Sequence, residues 1–231
     1  NELGEFTPRD IAVGGTYSRK LSEKLGLGIS ARFIHSNLSG NISSAGGAES
    51  RPGVTIGTDV GLYYNTEVLS GNKTGEFSWG VAINNIGPKI TYNSADDLDF
   101  IPTNFRIGTA YLMNLNEYNS LTFTLDFNKL MVPSPPILLR DENGVLVTDD
   151  NGDFIIESGR DPNRPLINGM FTSFFDAPGG FSEELQEVMI SFGVEYIYNN
   201  VFALRTGYFH ESEQKGALKF FTLGAGFKYN I

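Results

Sequence analysis

The sequence predicts an all-β protein: a transmembrane antiparallel β-barrel to which this chain contributes about nine strands. Three observations predict it. Apolar residues recur at every second position in nine short segments, charges and glycines fall on the opposite phase, and the links between segments alternate between short and long. A period of two is the pattern of a strand with two different faces. Alternating link lengths are typical of outer-membrane barrels.

The nine segments are defined by their apolar phase, which carries no charge within them. Its members, strand by strand, are Ile11, Val13, Tyr17; Leu25, Leu27, Ile29, Ala31, Phe33; Ile56, Val60, Leu62, Tyr64; Phe77, Trp79, Val81, Ile83; Phe105, Ile107, Tyr111; Leu121, Phe123, Leu125, Phe127; Ile190, Phe192, Val194, Tyr196, Tyr198; Phe202, Leu204, Tyr208; and Phe221, Leu223, Phe227, Tyr229. One side of each strand is therefore selected against charge.

The opposite phase carries the charged residues and nearly all of the strand glycines. We predict that it faces the lumen, with the following lumen-facing charges: Arg32, Asp59, Arg106, Asp126, Glu195, Arg205 and Lys228. Their mixed signs favour internal ion pairs that close the lumen over a pore selective for one sign of charge. A soluble barrel or sandwich would also alternate, but its solvated face would carry Lys, Glu and Gln rather than mostly small residues.

The links between the strands indicate an orientation. Short links fall at 21–24, 70–75, 114–119 and 199–200, and long links at 37–53, 87–102, 133–187 and 211–218. Outer-membrane barrels have short turns on the periplasmic side and long loops outside. Because nine is odd and single-chain bacterial barrels have even strand numbers, we expect residues 1–231 to form one barrel domain that is incomplete at both ends.

The 133–187 link is predicted to be a long extracellular loop insertion, and it is the best functional candidate because loops of this length are usually binding elements or lids. Segments 137–139, 145–147 and 154–156, separated by Asn-Gly turns, are predicted to pair as a small sheet, and 182–187 reads as helical. Four aromatic residues stand out as partner-binding candidates: Phe171, Phe174, Phe175 and Phe181. They either pack into the barrel mouth or meet a partner.

Several functional classes are disfavoured. The net charge of −10 argues against nucleic acid, whose phosphates need a basic footprint. No catalytic residue, metal site or cofactor is predicted: cysteine is missing, and His35 and His210 have no recognisable nucleophile or acid arrangement. The acidic runs 141–144 and 149–153 do not match a calcium loop and are better explained as turns.

Three segments carry a family resemblance: PRDIAVGGTYSR at 8–19, GISARFI at 28–34 and KFFTLGAGF at 219–227. They resemble the PorV family, outer-membrane proteins of the type IX secretion system. The resemblance implies a fourteen-stranded barrel similar to the FadL fatty-acid transporter fold. It also implies partners, namely the translocon barrel, the C-terminal signal domains of secreted cargo, and an attachment complex with a sortase-like peptidase. No catalytic residues belong to this family.

The predicted function is therefore a non-enzymatic component of type IX protein secretion, which binds the translocon and captures and shuttles cargo. Its expected location is the outer membrane of a Gram-negative bacterium, in contact with membrane lipid, with its loops facing the cell surface. The alternative is a FadL-like outer-membrane transporter of hydrophobic small molecules. A third hypothesis, a soluble β-sandwich binding module, would be excluded if the protein needed detergent to stay monomeric.

Overall fold

The computed structural model describes residues 8–37, 51–70, 73–92 and 98–228. Its elements, in chain order, are β1 (Arg9–Lys20), β2 (Leu25–Asn37), β3 (Gly53–Ser70), β4 (Lys73–Ile86), β5 (Asn104–Asn114), β6 (Asn119–Leu130), β7 (Ile137–Leu138), β8 (Ile156–Ser158), α1 (Leu166–Thr172), α2 (Phe181–Gln186), β9 (Met189–Tyr198), β10 (Phe202–His210) and β11 (Lys219–Phe227). All nine predicted strands are confirmed. Tyr229 and most of the 37–53 link lie outside the described residues.

The nine long strands form one antiparallel meander. Their order in the sheet is β1-β2-β3-β4-β5-β6-β9-β10-β11, and each strand pairs with its neighbour in this order. Strand β6 pairs directly with β9, from Asn119 opposite Tyr198 to Asn128 opposite Met189. Since consecutive strands run in opposite directions, the predicted short links all lie at one end of the sheet and the long links at the other. Residues 131–188 are thus an insertion at the long-link end.

The sheet is open in the part of the chain that the structure describes. Pairing is recorded on one side only of β1, with β2, and on one side only of β11, with β10. Closure into a barrel and a total of fourteen strands stay predictions. Of the helices in the described ranges, neither α1 nor α2 has the length and apolar character needed to cross a membrane.

One face of the sheet, the apolar face, carries the apolar phase and is left mostly uncovered. Its exposed members extend from one edge of the sheet to the other: Ile11, Val13, Tyr17, Ile29, Phe33, Ile56, Val60, Leu62, Ile107, Leu125, Phe127, Phe192, Tyr198, Phe202, Leu204, Phe221, Leu223 and Phe227. Leu223 is 89% exposed. Buried apolar residues of the described ranges are Ile90, Ile101, Met131, Met170, Ala177 and Ala203, of which only Ala203 belongs to the sheet. The sheet therefore has no apolar core of its own here.

The other face, the polar face, is organised by cross-strand hydrogen bonds. Arg32 donates to Asp59 at 2.7 Å and to the Asn85 side chain at 2.6 Å. Asp59 also accepts the backbone N–H of Asn85 at 2.8 Å, which supports the positive φ of 57° at that residue. The register of β3 and β4 shifts between Thr58 and Val60 at the same place. This network thus fixes an irregular point of the sheet.

The short links have the chemistry that tight turns require. Asn199 and Asn200 adopt φ of 51° and 54°, and the N–H of Val201 donates to the carbonyl of Tyr198 at 3.0 Å. Asparagine tolerates this left-handed conformation better than most residues. The link from β3 to β4 is shorter than predicted, because pairing continues to Ser70 opposite Lys73. Residues 70 and 73–75 include no apolar side chain, so the apolar alternation does not indicate this extension.

Candidate functional site: the insertion between β6 and β9

The first half of the insertion is a small three-segment sheet, as predicted. Strand β7 pairs with β8, and isolated bridges join Arg140 to Leu146 and Thr148 to Phe154. The backbone N–H of Leu139 donates to Ile155, that of Val147 to Leu139, and that of Ile155 to Val147, at 2.8–3.0 Å. Each segment thus bonds to the other two, so the small sheet is self-contained.

Two aspartates build the turns of this small sheet. Asp141 and Asp149 each accept hydrogen bonds from the backbone N–H groups two and four residues further on, at 2.8–2.9 Å. Gly144 and Gly152 follow with φ of 81° and 89°. These backbone hydrogen bonds lower the pKa of both carboxyl groups. The turn interpretation of the acidic runs is confirmed.

The second half of the insertion contains the helices. The helical prediction for 182–187 is confirmed by α2, whereas α1 was missed. Asn-Gly is a common turn pair, but Asn168-Gly169 lies inside α1 in the structure. A Cβ on Gly169 would meet the ring of Phe100 at 2.9 Å, so glycine permits the close approach of helix and neighbouring segment. This tertiary contact outweighs the local turn preference.

The four predicted aromatic residues, Phe171, Phe174, Phe175 and Phe181, are called the aromatic patch below. Phe171, Phe175 and Phe181 are 61%, 73% and 75% exposed. Phe174 is half-buried and meets the ring of Phe105 on β5 edge-on, with 5.9 Å between centroids. The structure thus leaves three members of the patch accessible and uses the fourth to hold the insertion against the sheet.

A partly buried group of charges, the ion cluster, joins the insertion to the sheet. It consists of Lys129, Glu183, Glu184, Glu187 and Lys215. Lys129, at the end of β6, is only 4% exposed and donates to Glu184 at 3.0 Å and to Glu187. Lys215, in the link from β10 to β11, donates to Glu183 and to Glu187, the latter at 2.9 Å. Two separate links at the long-link end are therefore connected.

Backbone and hydroxyl donors complete the ion cluster. The second carboxylate oxygen of Glu184 accepts the N–H groups of Asp176 and Ala177 at 2.7 and 2.8 Å. Glu187 also accepts the Ser134 hydroxyl at 2.8 Å. Burial alone would raise the pKa of Glu187, but hydrogen bonds from Lys129, Lys215 and Ser134 outweigh it and hold that pKa below its usual value. The stability that the ionised Glu187 carboxylate contributes to the fold is thus present at neutral pH, and it is lost as the pH falls through this lowered pKa.

Asp176 is buried beside the ion cluster, and its pKa is shifted in the opposite direction to that of Glu187. It is 2% exposed, its Oδ1 accepts the N–H of Ser134 at 3.3 Å, and its Oδ2 has no hydrogen-bond partner among the described residues. Burial raises its pKa, and the charges of Glu184 and Glu187 add to this effect. Because the folded pKa is raised, protonation of Asp176 favours the folded insertion as the pH falls.

The ion cluster was not predicted, although the sequence contains a partial signal for it. Lys129 lies on the apolar phase of β6, two residues after Phe127, where an unpaired charge would be unfavourable. Such a lysine requires an acidic partner, and Glu183, Glu184 and Glu187 have the spacing of one helical face. Nothing local indicates that these residues meet, since Lys129 and Glu184 are 55 positions apart.

The predicted lumen charges fall into three groups. Arg32 with Asp59, and Glu195 with Arg205, form ion pairs on the polar face. Arg106 and Asp126 line a depression of about 660 Å³ on that face, together with Gly26, Gly28, Gly61, Gly80 and Gly108. Lys228 follows the end of β11, where its N–H donates to the carbonyl of Val201 at 2.7 Å. The lumen assignment itself stays a prediction.

The comparison with protein families agrees with the resemblance. A family model described as "Type IX secretion system protein PorV" matches residues 4–137, more than half of the chain. This match contains the resembling segments at 8–19 and 28–34. No curated protein matches the chain. The chain therefore belongs to the PorV family and is a component of the type IX secretion system.

Proposed function

We propose that this chain is a non-enzymatic outer-membrane component of the type IX secretion system, which binds the translocon and captures and shuttles secreted cargo through the cargo's C-terminal signal domain. The observation that carries the proposal is the exposure of Phe171, Phe175 and Phe181 on an insertion that the ion cluster fixes to the sheet. Large aromatic side chains held in a defined arrangement are typical anchors of protein interfaces.

The uncovered apolar face supports the location in the outer membrane. A soluble sheet buries its apolar side against a second layer, whereas here it is exposed from β1 to β11. In a membrane this face meets hydrocarbon and the polar face lies inside. By the asymmetry of outer-membrane barrels, the short links then lie at the periplasm and the long links at the cell surface of a Gram-negative bacterium. In this proposed orientation the aromatic patch faces the outside.

The rigidity of the insertion supports partner binding over a disordered loop. The small sheet is closed by its own hydrogen bonds, and α2 is held by Lys129 and Lys215. A partner that meets a preorganised surface does not have to order it on binding, which reduces the entropic cost of association. The proposed partners, the translocon barrel and the cargo signal domains, are those that the resemblance to the family implies, and membership in the family supports a role with the secretion machinery.

We expect the triple substitution Phe171→Ser, Phe175→Ser and Phe181→Ser to abolish the association with the secretion machinery. Loss of one exposed aromatic anchor commonly costs an interface about 2 kcal/mol, so the removal of three should weaken binding by more than about a hundredfold. The measurement is co-purification of the translocon and cargo from detergent-solubilised membranes.

The matched control is the triple substitution Ile137→Ser, Val145→Ser and Phe154→Ser. These three apolar residues are also exposed and belong to the same insertion, but lie on the small sheet. It should leave co-purification unchanged. Full recovery of the translocon and cargo with the patch variant would show that the aromatic patch does not bind them.

A second candidate is transport of hydrophobic small molecules. Transport is favoured by the depression of about 660 Å³ on the polar face, whose lining includes five glycines and consists mainly of apolar atoms. Its size lies in the range of small-molecule sites. The two candidates differ in the location of the ligand, because transport would place it on the polar face and cargo capture would place it at the aromatic patch.

A further inference from the structure

A second, smaller cavity lies between the insertion and the apolar face of the sheet. It has a volume of about 290 Å³, and its lining includes Phe105, Phe127, Phe174, Phe175, Phe181 and Leu185. Phe105 and Phe127 belong to the apolar phase of β5 and β6, and the others come from the insertion. The insertion therefore descends over the outside of the sheet at this point, not over its polar face.

The charged groups beside this cavity are already paired, and Asn128 also lines it, with an Oδ1 that is buried and has no hydrogen-bond partner among the described residues. Lys129 and Glu184 contribute to the lining, but their charged atoms bond to each other at 3.0 Å. The ammonium group of Lys129 also lies 5.7 Å from the centroid of the Phe174 ring. The surface that remains is almost wholly apolar, so a ligand there must be apolar along its length.

We infer that this cavity binds one acyl chain of a lipid of the outer membrane. The cavity walls continue the exposed apolar face through Phe127, Ile107 and Leu125, so a chain can enter from the side of the sheet assigned to lipid. The volume fits roughly ten methylene groups, each occupying about the space of one water molecule in the liquid, ~30 Å³. This inference rests on the proposed outer-membrane location.

The ion cluster gives the cavity its fixed shape. Glu184 and Leu185 are neighbours on α2, and the pairing of Glu184 with Lys129 holds that helix at the cavity edge. Phe174 is held on the opposite side by its edge-on contact with Phe105. The site is thus built from the sheet and the insertion together.

The test uses photo-cross-linking in vesicles of phosphatidylethanolamine and phosphatidylglycerol. The probe is phosphatidylethanolamine with a diazirine in one acyl chain, and labelled residues are identified by mass spectrometry. We expect labelling of Phe105 and Phe174 at the cavity and of Leu125 on the open apolar face. The substitution Val188→Trp, at a residue that lines the cavity, should reduce labelling of Phe105 and Phe174 by about tenfold. The larger side chain would keep about two methylene groups of the acyl chain out of the cavity, and the lost burial of two methylene groups corresponds to about this factor in binding. Labelling of Leu125 should not change.

The control is Phe171→Trp, which introduces the same side chain on the insertion at a residue that does not line the cavity. It should leave labelling of Phe105 unchanged. If the Val188→Trp variant does not show the β-sheet circular-dichroism spectrum of the parent chain, the Leu185→Trp variant is used in its place. Leu185 lies on α2 and lines the cavity from the exposed side of the helix. Labelling of Leu125 without labelling of Phe105 and Phe174, or cavity labelling that neither filling variant reduces, would overturn the acyl-chain site and leave the membrane location intact.

Two further outcomes are also decisive. A lack of labelling at Leu125 as well as at the cavity would contradict the membrane location, and with it the proposed function. Labelling of Phe105 by a diazirine fatty acid added from solution, but not by the phospholipid, would show that the occupant is a free fatty acid and would overturn the assignment to a membrane lipid.

Discussion

Replacement of Lys129 with methionine is expected to detach α2 from the sheet and to lower the free energy of unfolding of the insertion by about 3–5 kcal/mol, the usual effect of removing one partner from a buried ion pair. Methionine matches the length of lysine but leaves the carboxylates of Glu184 and Glu187 buried with fewer donors. Lys215 would still donate to Glu187, so Glu184 should be the group that rehydrates.

The detachment of α2 can be measured by the hydrogen-exchange rates of the Asp176 and Ala177 amides, which donate to Glu184. Both should exchange much faster in the Lys129→Met variant, while amides in the middle of β6 keep their protection. The control is Lys219→Met, which breaks an exposed pair with Glu213 and should change stability by less than about 1 kcal/mol. Equal exchange at Asp176 in the parent and the Lys129 variant would show that the ion cluster does not hold the insertion.

Replacement of Leu125 with lysine is expected to destabilise the folded protein in a bilayer by about 2–4 kcal/mol, the effect of a lysine at the lipid-facing midplane of a barrel. Leu125 lies near the middle of β6 on the apolar face and is exposed. At an exposed strand position in water, the same change would stay within about 0.5 kcal/mol. The size of the effect thus reports which solvent the apolar face meets.

Denaturant titration of the protein in lipid vesicles measures this difference. Thr124→Lys is the matched control, since it introduces the same charge one residue earlier, on the polar face. Its effect should be clearly smaller than that of Leu125→Lys. Two equal, small changes would indicate that water reaches both faces of the sheet.

The strands could be predicted because their information is local. A period of two is present within each segment, and the alternation of link lengths requires no knowledge of contacts. The phase also predicted which charges share a face, and Arg32 with Asp59 and Glu195 with Arg205 do form pairs. The turns of the small sheet were equally accessible, since Asp141 and Asp149 bond only to backbone atoms within four residues.

The features that were missed depend on contacts between distant parts of the chain. Helix α1 contains an Asn-Gly pair that favours a turn, and the close approach of Gly169 to Phe100 has no local signal in the sequence. The ion cluster joins Lys129 to Glu187, 58 positions away, and to Lys215 through that glutamate. The placement of Phe174 against Phe105 likewise has no local signature. The candidate residues could thus be chosen from the sequence, but not the arrangement that holds them.

Contact between the apolar face of the sheet and lipid can be measured by the accessibility of spin labels along β6. The chain contains no cysteine, so single cysteines at successive positions from 120 to 127 can each carry one nitroxide. In vesicles, oxygen collides most with labels in hydrocarbon, and a nickel chelate with labels in water. We predict high oxygen accessibility at positions 121, 123, 125 and 127 and low oxygen accessibility at the positions between them. Nickel accessibility at the odd positions equal to that of a label in a surface loop would contradict this contact with lipid.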